Sequence, residues 1–412
     1  MTRRAGLALA LLLLAGFWAP ARSESLWELA LPGEPLMTLD AHSIALGGAA
    51  DARWDLESGL PANPAQLRGL EGFTFATVIQ LRRARRDIAG DLWDETRQDF
   101  PALQISASLP GRLSLGIGYR ASLRSRGSFV IPYLPVPGDT THYDMRFAQE
   151  GGVNAFPIDL GMSLGSRLRL GAGLSLYRGR LEQEWLYDFP NDPYADQDLE
   201  YQDRKIRRQA EWRGQALRLG LQSMPRKWLA ASASWESAAD LEGESRSETG
   251  GESEPDSLLS LSGRMPSRWS AGLAFSLQRG IHLSAQWDHE DWSAYESPVS
   301  LVALHDVDRY SFGFEWIRQP QRQELRRDRR FPLRLGFRLG NLPRPDPLAG
   351  GRVSERLLSL GTGLDIQEGR GSIDLALYWQ RLNVDDSEGE TRWGLALGLR
   401  TSEIWKKRTL PY

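Results

Sequence analysis

From about residue 70 onward, apolar residues recur at every second position in run after run. In Leu113-Ser114-Leu115-Gly116-Ile117-Gly118-Tyr119-Arg120 the odd positions are apolar and the even ones small or charged. Arg167 to Leu176, Leu333 to Leu339 and Trp393 to Arg400 follow the same rule. A period of two is the signature of strands whose two faces meet different surroundings. In a soluble sandwich the inner faces pack large side chains against each other, whereas here the leucine face is backed by glycine, serine and arginine. A sheet with hydrocarbon on the leucine side fits that contrast, and membrane barrels alternate in this way.

Candidate strands fall near 73–82, 102–109, 112–122, 153–165, 167–185, 207–223, 227–236, 257–263, 268–277, 281–289, 308–318, 330–339, 355–366, 371–382 and 391–400. That set is odd in number, while single-chain bacterial barrels have even strand counts, short turns at the periplasmic end and longer loops outside. Short connections are expected around Pro110-Gly111, Gly165-Ser166, Met224-Pro225, Arg279-Gly280 and Glu368-Gly369, with a longer polar one near 319–329. Long ones are expected at 83–101, 123–152, 186–206, 237–256, 290–307, 340–354 and 383–390. Short and long alternate only if 257–277 is one strand interrupted near Met265-Pro266, because proline removes a ladder donor and bends the strand. The fold class expected is therefore all-β, a single transmembrane antiparallel barrel of about fourteen strands.

Composition changes this picture little. Charged residues make up 25% and apolar ones 41% of the 412 residues, which excludes a helical membrane protein but not a barrel. The net charge of −3, with both signs interspersed, offers no basic stripe for nucleic acid. Cysteine is absent, which removes disulfides, thiolate chemistry and cysteine-ligated metals, and suits passage through an oxidising compartment.

The chain is expected to be exported. Arg3 and Arg4 precede an apolar run from Ala5 to Trp18, and Ala21-Arg22-Ser23 forms a small-x-small cleavage site, so 1–23 reads as a signal peptide. Residues 24–70 form an N-terminal segment too broken for a strand, 71–400 the barrel, and 401–412 a C-terminal tail. Stretches such as Asn191 to Asp203 and Glu242 to Asp256 are acidic and turn-rich, as solvated outer loops are.

The N-terminal segment contains Ser43-Ile44-Ala45-Leu46-Gly47-Gly48-Ala49, then Asp55, then Asn63-Pro64-Ala65-Gln66-Leu67. With Ser284 to Ser293, which ends in a Trp-Ser pair, with Phe331 to Phe337, and with the run through Glu355 and Gly361 to Asp374-Leu375-Ala376, this arrangement resembles the FadL family of outer-membrane transporters. The resemblance spans the whole mature chain and rests on the order and spacing of short motifs. It implies a hatch folded inside the lumen, location in the outer membrane of a Gram-negative-type bacterium, and passage of hydrophobic molecules such as long-chain fatty acids. Membrane lipid and lipopolysaccharide are the implied surroundings. A related fourteen-stranded family, the PorV-like shuttle proteins, implies the alternative of a scaffold for exported or periplasmic protein partners, and fold alone does not choose between them. The chain departs from the pattern in having Thr401 to Tyr412 beyond its last expected strand and arginines on the expected lumen face.

The candidate hatch and gating residues are Gly47, Gly48, Asn63 and Pro64. The glycines serve either turns at positive φ, their commoner use, or close approach to the wall. Asn63-Pro64 has the chemistry of a turn, with direct ligand contact as the less usual role. Arg120, Arg169, Arg218, Arg334 and Arg338 should point into the lumen. They either bind a carboxylate head group through paired hydrogen bonds or join inward acids such as Asp374 in a polar network. Trp287 and Trp292 are expected in an interfacial aromatic girdle. No zinc-protease or nucleophile-elbow motif surrounds His42, His142, His282, His289 or His305. In His289-Glu290-Asp291 adjacent residues point to opposite faces, so no catalytic site, metal or cofactor is expected.

Overall fold

The computed structural model describes residues 33–403 except 55–59, 68–71, 89–90, 110–111, 137, 139–140, 190–202, 250–256, 278–279, 297–303, 318–330, 346–350, 367–370 and 385–386. The expected signal peptide, the loop from Asn191, the polar connection at 319–329 and the tail beyond Glu403 lie outside the described residues.

A two-residue strand β1 (Glu34–Pro35) and a five-residue helix α1 (Ala41–Ala45) precede the barrel. The wall begins with β2 (Phe73–Ile88), β3 (Asp91–Leu109), β4 (Leu113–Pro135), β5 (His142–Leu164), β6 (Leu168–Asp188) and β7 (Arg204–Arg226). It continues through β8 (Leu229–Glu236), β9 (Ala239–Thr249), β10 (Ser257–Met265), β11 (Arg268–Ser276), β12 (Ile281–Glu290) and β13 (Val307–Trp316). It ends with β14 (Leu333–Asn341), β15 (Val353–Ile366), β16 (Gly371–Val384) and β17 (Ser387–Glu403). Each strand pairs antiparallel with its neighbour, and β17 returns to β2 from Thr391↔Arg85 to Glu403↔Phe73, closing the sheet.

The parity argument holds. Strands β10 and β11 are two halves of one wall strand broken at Pro266-Ser267, and β8 and β9 are two halves of the strand beside it, both laid against β7. Counted as wall strands, the barrel has fourteen.

The expected loops are corrected at one end. Residues 83–88 and 91–101 belong to β2 and β3, most of 123–152 to β4 and β5, and 239–249, including the acidic run from Glu242, to β9. These strands rise past the apolar band, where the outward face turns polar, as with Arg83 and Arg85 on β2 and Glu242 and Glu244 on β9, so the outward hydrophobic period stops there. Met224-Pro225 lies within β7, and the turn falls at Lys227-Trp228. The last strand runs on to Glu403.

The two faces have the contrast the pattern demanded. Outward positions carry Leu174, Leu217, Leu335, Leu360 and Leu377, each about half exposed in the isolated chain. Inward positions carry Arg218, Ser311, Arg334, Gln222 and Glu355, all buried. Among the described residues no helix is long and apolar enough to cross a membrane; the apolar outer face of a closed barrel does so, since closure leaves no unpaired edge in hydrocarbon.

Candidate functional site

Residues 33–67, as far as they are described, lie inside the barrel. Helix α1 starts at Asp40, whose carboxylate accepts from the Ser43 amide at 2.7 Å, and it packs against β14 to β17. Its end reaches the wall at Gly47 and Gly48, with φ of +68° and +103°. A Cβ on Gly47 would lie 2.7 Å from the Phe337 amide nitrogen, so this residue serves both readings, turn and close approach. The wall reciprocates. A Cβ on Gly336 would lie 2.0 Å from the Gly47 nitrogen, on Gly361 2.3 Å from Ala45, on Gly171 2.3 Å from the Ala65 nitrogen, and on Gly220 2.1 Å from Asn63. Inward glycines therefore make the seat of the plug.

Asn63 fixes and docks the second half. Its side-chain oxygen accepts from the Ala65 amide at 2.9 Å and starts the short 3-10 helix Pro64–Gln66, with Pro64 at its first position. Its amide group donates to the Leu221 and Ala233 carbonyls at 3.2 and 3.1 Å, on β7 and β8.

All five candidate arginines reach into the lumen, and each has protein acceptors. Arg120 donates to the Pro61 carbonyl of the plug. Arg169 bonds Gln222 at 2.9 Å and the Trp54 carbonyl at 3.2 Å, with its guanidinium 3.7 Å over the Trp54 ring. Arg218 pairs with Asp159 and lies 3.7 Å from Glu236. Arg334 reaches Glu315 at 2.7 Å and Asp374 at 2.6 Å, and Arg53 of the plug meets the other oxygen of Glu315 at 2.6 Å. Arg338 holds Glu355 at 2.6 Å. Residues that sequence reasoning missed complete the layer. Glu34 is gripped by Arg82, through two bonds of 2.8 and 2.9 Å, and by Arg392. Their signal was present as inward charges in β2 and β17, but partners so distant in sequence are joined only by barrel closure.

Two plug residues titrate away from their ordinary values. His42 sits 3.3 Å from Glu315, yet burial first, and the Arg334 guanidinium second, push its pKa down to about 4. Asp51 accepts from Ser270 at 3.3 Å; burial, then the neighbouring Asp288 carboxylate, raise its pKa to about 7. Between plug and wall lies a cavity of about 240 Å³ lined by Asp51, Arg120, Arg218, Glu236, Asp288 and Arg338 among others. Its lining mixes these charges with apolar side chains, among them Leu36, Met37, Leu39, Trp235 and Trp269.

Above this layer the interior turns apolar. Trp292 and Tyr295, from the connection after β12, fold inward onto Trp212, Leu181, Leu241 and Met265. Trp292 is fully buried and donates to Glu290 at 2.6 Å, which corrects its expected place in the girdle. Trp287 faces outward, more than a third exposed, and donates to Asp308 at 3.1 Å. Higher still, Phe129, Phe147 and Trp185 stand in register on the inner face of β4, β5 and β6, with ring centroids 5.1 and 5.2 Å apart. Tyr143 and Tyr187 extend the patch at 5.8 Å.

The wall is not uniform. The β3–β4 ladder stops at Ala102↔Arg120, although both strands continue upward. Beyond that point β4 slips register between Ala121 and Leu123, and its free edge takes up β1, with Glu34↔Arg124, Pro35↔Leu123 and a 3.2 Å bond from the Leu36 amide to Ser122. Arg124 bridges to Asp99 of β3 across the gap. On β5, Gly151 and Gly152 have φ of +153° and +143°, and a Cβ on either would collide with neighbouring carbonyls. A cavity of about 470 Å³ opens there, lined from inside by Leu36, Leu123 and Ser125 and from outside by Arg126, Arg180 and Glu182.

No family model matches the chain, and no curated protein matches it. Solved structures do. A Pseudomonas aeruginosa FadL homologue is 12% identical with a TM-score of 0.61, covering 91% of this chain and all of its own. The CymD monoaromatic hydrocarbon channel is 15% identical with a TM-score of 0.57 over 89% of this chain and 98% of its own. The Pseudomonas putida toluene transporter TodX is 16% identical with a TM-score of 0.56 over 92% of this chain and all of its own. The chain thus shares the fold of the FadL-type barrels.

Proposed function

We propose that this protein is an outer-membrane channel that takes up hydrophobic or amphipathic small molecules, long-chain fatty acids and monoaromatic hydrocarbons being the classes to try first. The observation that carries the reading is the break in the β3–β4 ladder, where plug residues Glu34 to Leu36 occupy the free edge of β4 beside a cavity lined from both faces. A hydrophobic molecule gains nothing by crossing a layer of paired arginines and carboxylates, because displacing buried ion pairs leaves charges uncompensated. The inner aromatic face of Phe129, Phe147 and Trp185 offers it apolar contact, and a sideways exit above the charged layer opens at the outer rim of the apolar band, from which an amphipathic molecule can pass into the lipid. The solved neighbours whose titles speak of hydrocarbon channels and toluene transport support the same reading. The scaffold reading for exported proteins draws on no feature of the described residues.

The test is uptake of labelled oleate and labelled toluene by cells carrying the full chain, an F147A/W185A variant, or an empty vector. Uptake above the vector control, reduced by the double substitution, is expected. Equal uptake with chain and vector for both probes would sink the reading.

A further inference from the structure

The outward face of β6 and β7 changes character at one level. Leu174 stands opposite Leu217 and Leu176 opposite Gln215; at the next outward pair Arg178 stands opposite Arg213. Both arginines are exposed, and like charges set directly opposite on a sheet repel. Other charges on this face are matched: Arg207 with Glu182, Lys205 with Glu184 at 2.9 Å, and Arg180 between Glu182 at 3.6 Å and Glu211 at 4.0 Å. Among the described residues neither Arg178 nor Arg213 has a carboxylate within ion-pair distance, although Glu242 of β9 stands in register beside Arg213. Asn154 of β5 stands beside Arg178 in the same row.

We infer that Arg178 and Arg213 form a site on the outside of the barrel for a phosphate of a phosphorylated glycolipid, of which lipid A is the outer-leaflet form. Two guanidinium forks at the edge of an apolar band match a phosphate carried by acyl chains lying on Leu174, Leu217 and Leu219. The site lies across the apolar band from the Gly165–Arg167 turn, hence on its outer side under the turn rule. From Arg213 the outward face of β7 stays polar through Glu211, Gln209, Arg207 and Lys205, on the order of 25 Å of strand. A phospholipid headgroup does not reach that far; a sugar headgroup does. The inference rests on the outer-membrane placement of the proposed function, not on transport.

The experiment uses the full chain, delipidated in detergent, and binding of three probes: bisphosphorylated lipid A, lipid A stripped of its phosphates, and phosphatidylglycerol. Native chain is expected to bind bisphosphorylated lipid A at least tenfold more tightly than either other probe. R178Q/R213Q is expected to lose at least tenfold, with uptake of labelled oleate unchanged. Equal binding of the stripped probe, of phosphatidylglycerol, or by the double variant would overturn the site. Heat-shifted electrophoretic mobility reports folding, and if the glutamine pair does not fold, R178K/R213K takes its place with an intermediate loss expected. Separately, recovery of the chain outside the outer membrane on fractionation would refute its placement, whatever the detergent binding shows.

Discussion

Asp51 is anchored on all sides: its amide donates to Gln286 at 3.1 Å, its carbonyl accepts from Gln66 and Gln222, each at 3.1 Å, and its carboxyl faces Ser270 and Asp288. Its pKa in place, about 7, lies above the ordinary 3.8, so the docked plug holds the proton more tightly than the free plug. The Asp51 share of docking is then fully present below about pH 4 and is lost as pH rises through 7. His42 has the opposite sign, since its pKa of about 4 lies below 6.5, and its share is lost as pH falls from 6.5 toward 4. The Asp51→Asn variant should abolish the first trend and leave the second, read as protease protection of the plug in detergent between pH 4 and 8. An unchanged profile in that variant would show that Asp51 does not govern docking. Arg334→Ala strands Asp374 and leaves Glu315 to Arg53, and the loss of one partner from a buried pair costs about 3–5 kcal/mol. Unfolding in urea should show it as a lowered midpoint, and a midpoint within error of the native one would contradict the network. The inward direction of these arginines was legible in the sequence, because strand parity assigns it. Of their partners Asp374 was legible as an inward acid, and it meets Arg334, but Glu315 and Arg53 were not, because they meet Arg334 only across two strands and the plug.

At the scale of elements, β5 carries the feature with the clearest consequence. Gly151 and Gly152 hold positive φ where the backbones of β4 and β6 come too close for a side chain. Replacing both by valine should strain this segment and force β5 away from its present path, costing roughly 1–3 kcal/mol per strained residue. A barrel that still folds, judged by heat-shifted mobility, should then take up oleate more slowly; an undiminished rate would remove the wall opening from the route. In the sequence these glycines read as part of a long outer loop. The expected loops at 83–101, 123–152 and 237–256 failed for one physical reason. A strand is recognised by contrast between its faces, and past the apolar band the outward face turns polar like the inward one, as with outward Arg83 and Arg85 beside inward Arg82 and Arg86 on β2. Backbone pairing continues there without a hydrophobic period to announce it.

For the whole molecule, the wall and the plug are held by different forces. The wall closes through strand ladders alone, from β2 round to β17, whereas the plug is held by glycine seats, Asn63 and the ion pairs of Glu34 and Arg53. Deleting residues 34–67 should therefore leave a heat-modifiable barrel whose lumen, lined by charged residues, conducts ions in a planar bilayer while the full chain conducts far less. Equal conductance with and without those residues would show that they do not block the lumen. Alternation and turn parity by themselves determined the all-β class, the count of fourteen, the broken strand at Pro266 and the two faces, because a closed sheet in lipid fixes which side of every strand is apolar. Only the tertiary structure decided where strands end above the bilayer, which carboxylate each arginine meets, that Trp292 turns inward, and that the β3–β4 ladder stops short with β1 in the gap. Those are contacts between residues tens to hundreds of positions apart, set by closing the barrel around its own N-terminal segment, and no local pattern encodes them.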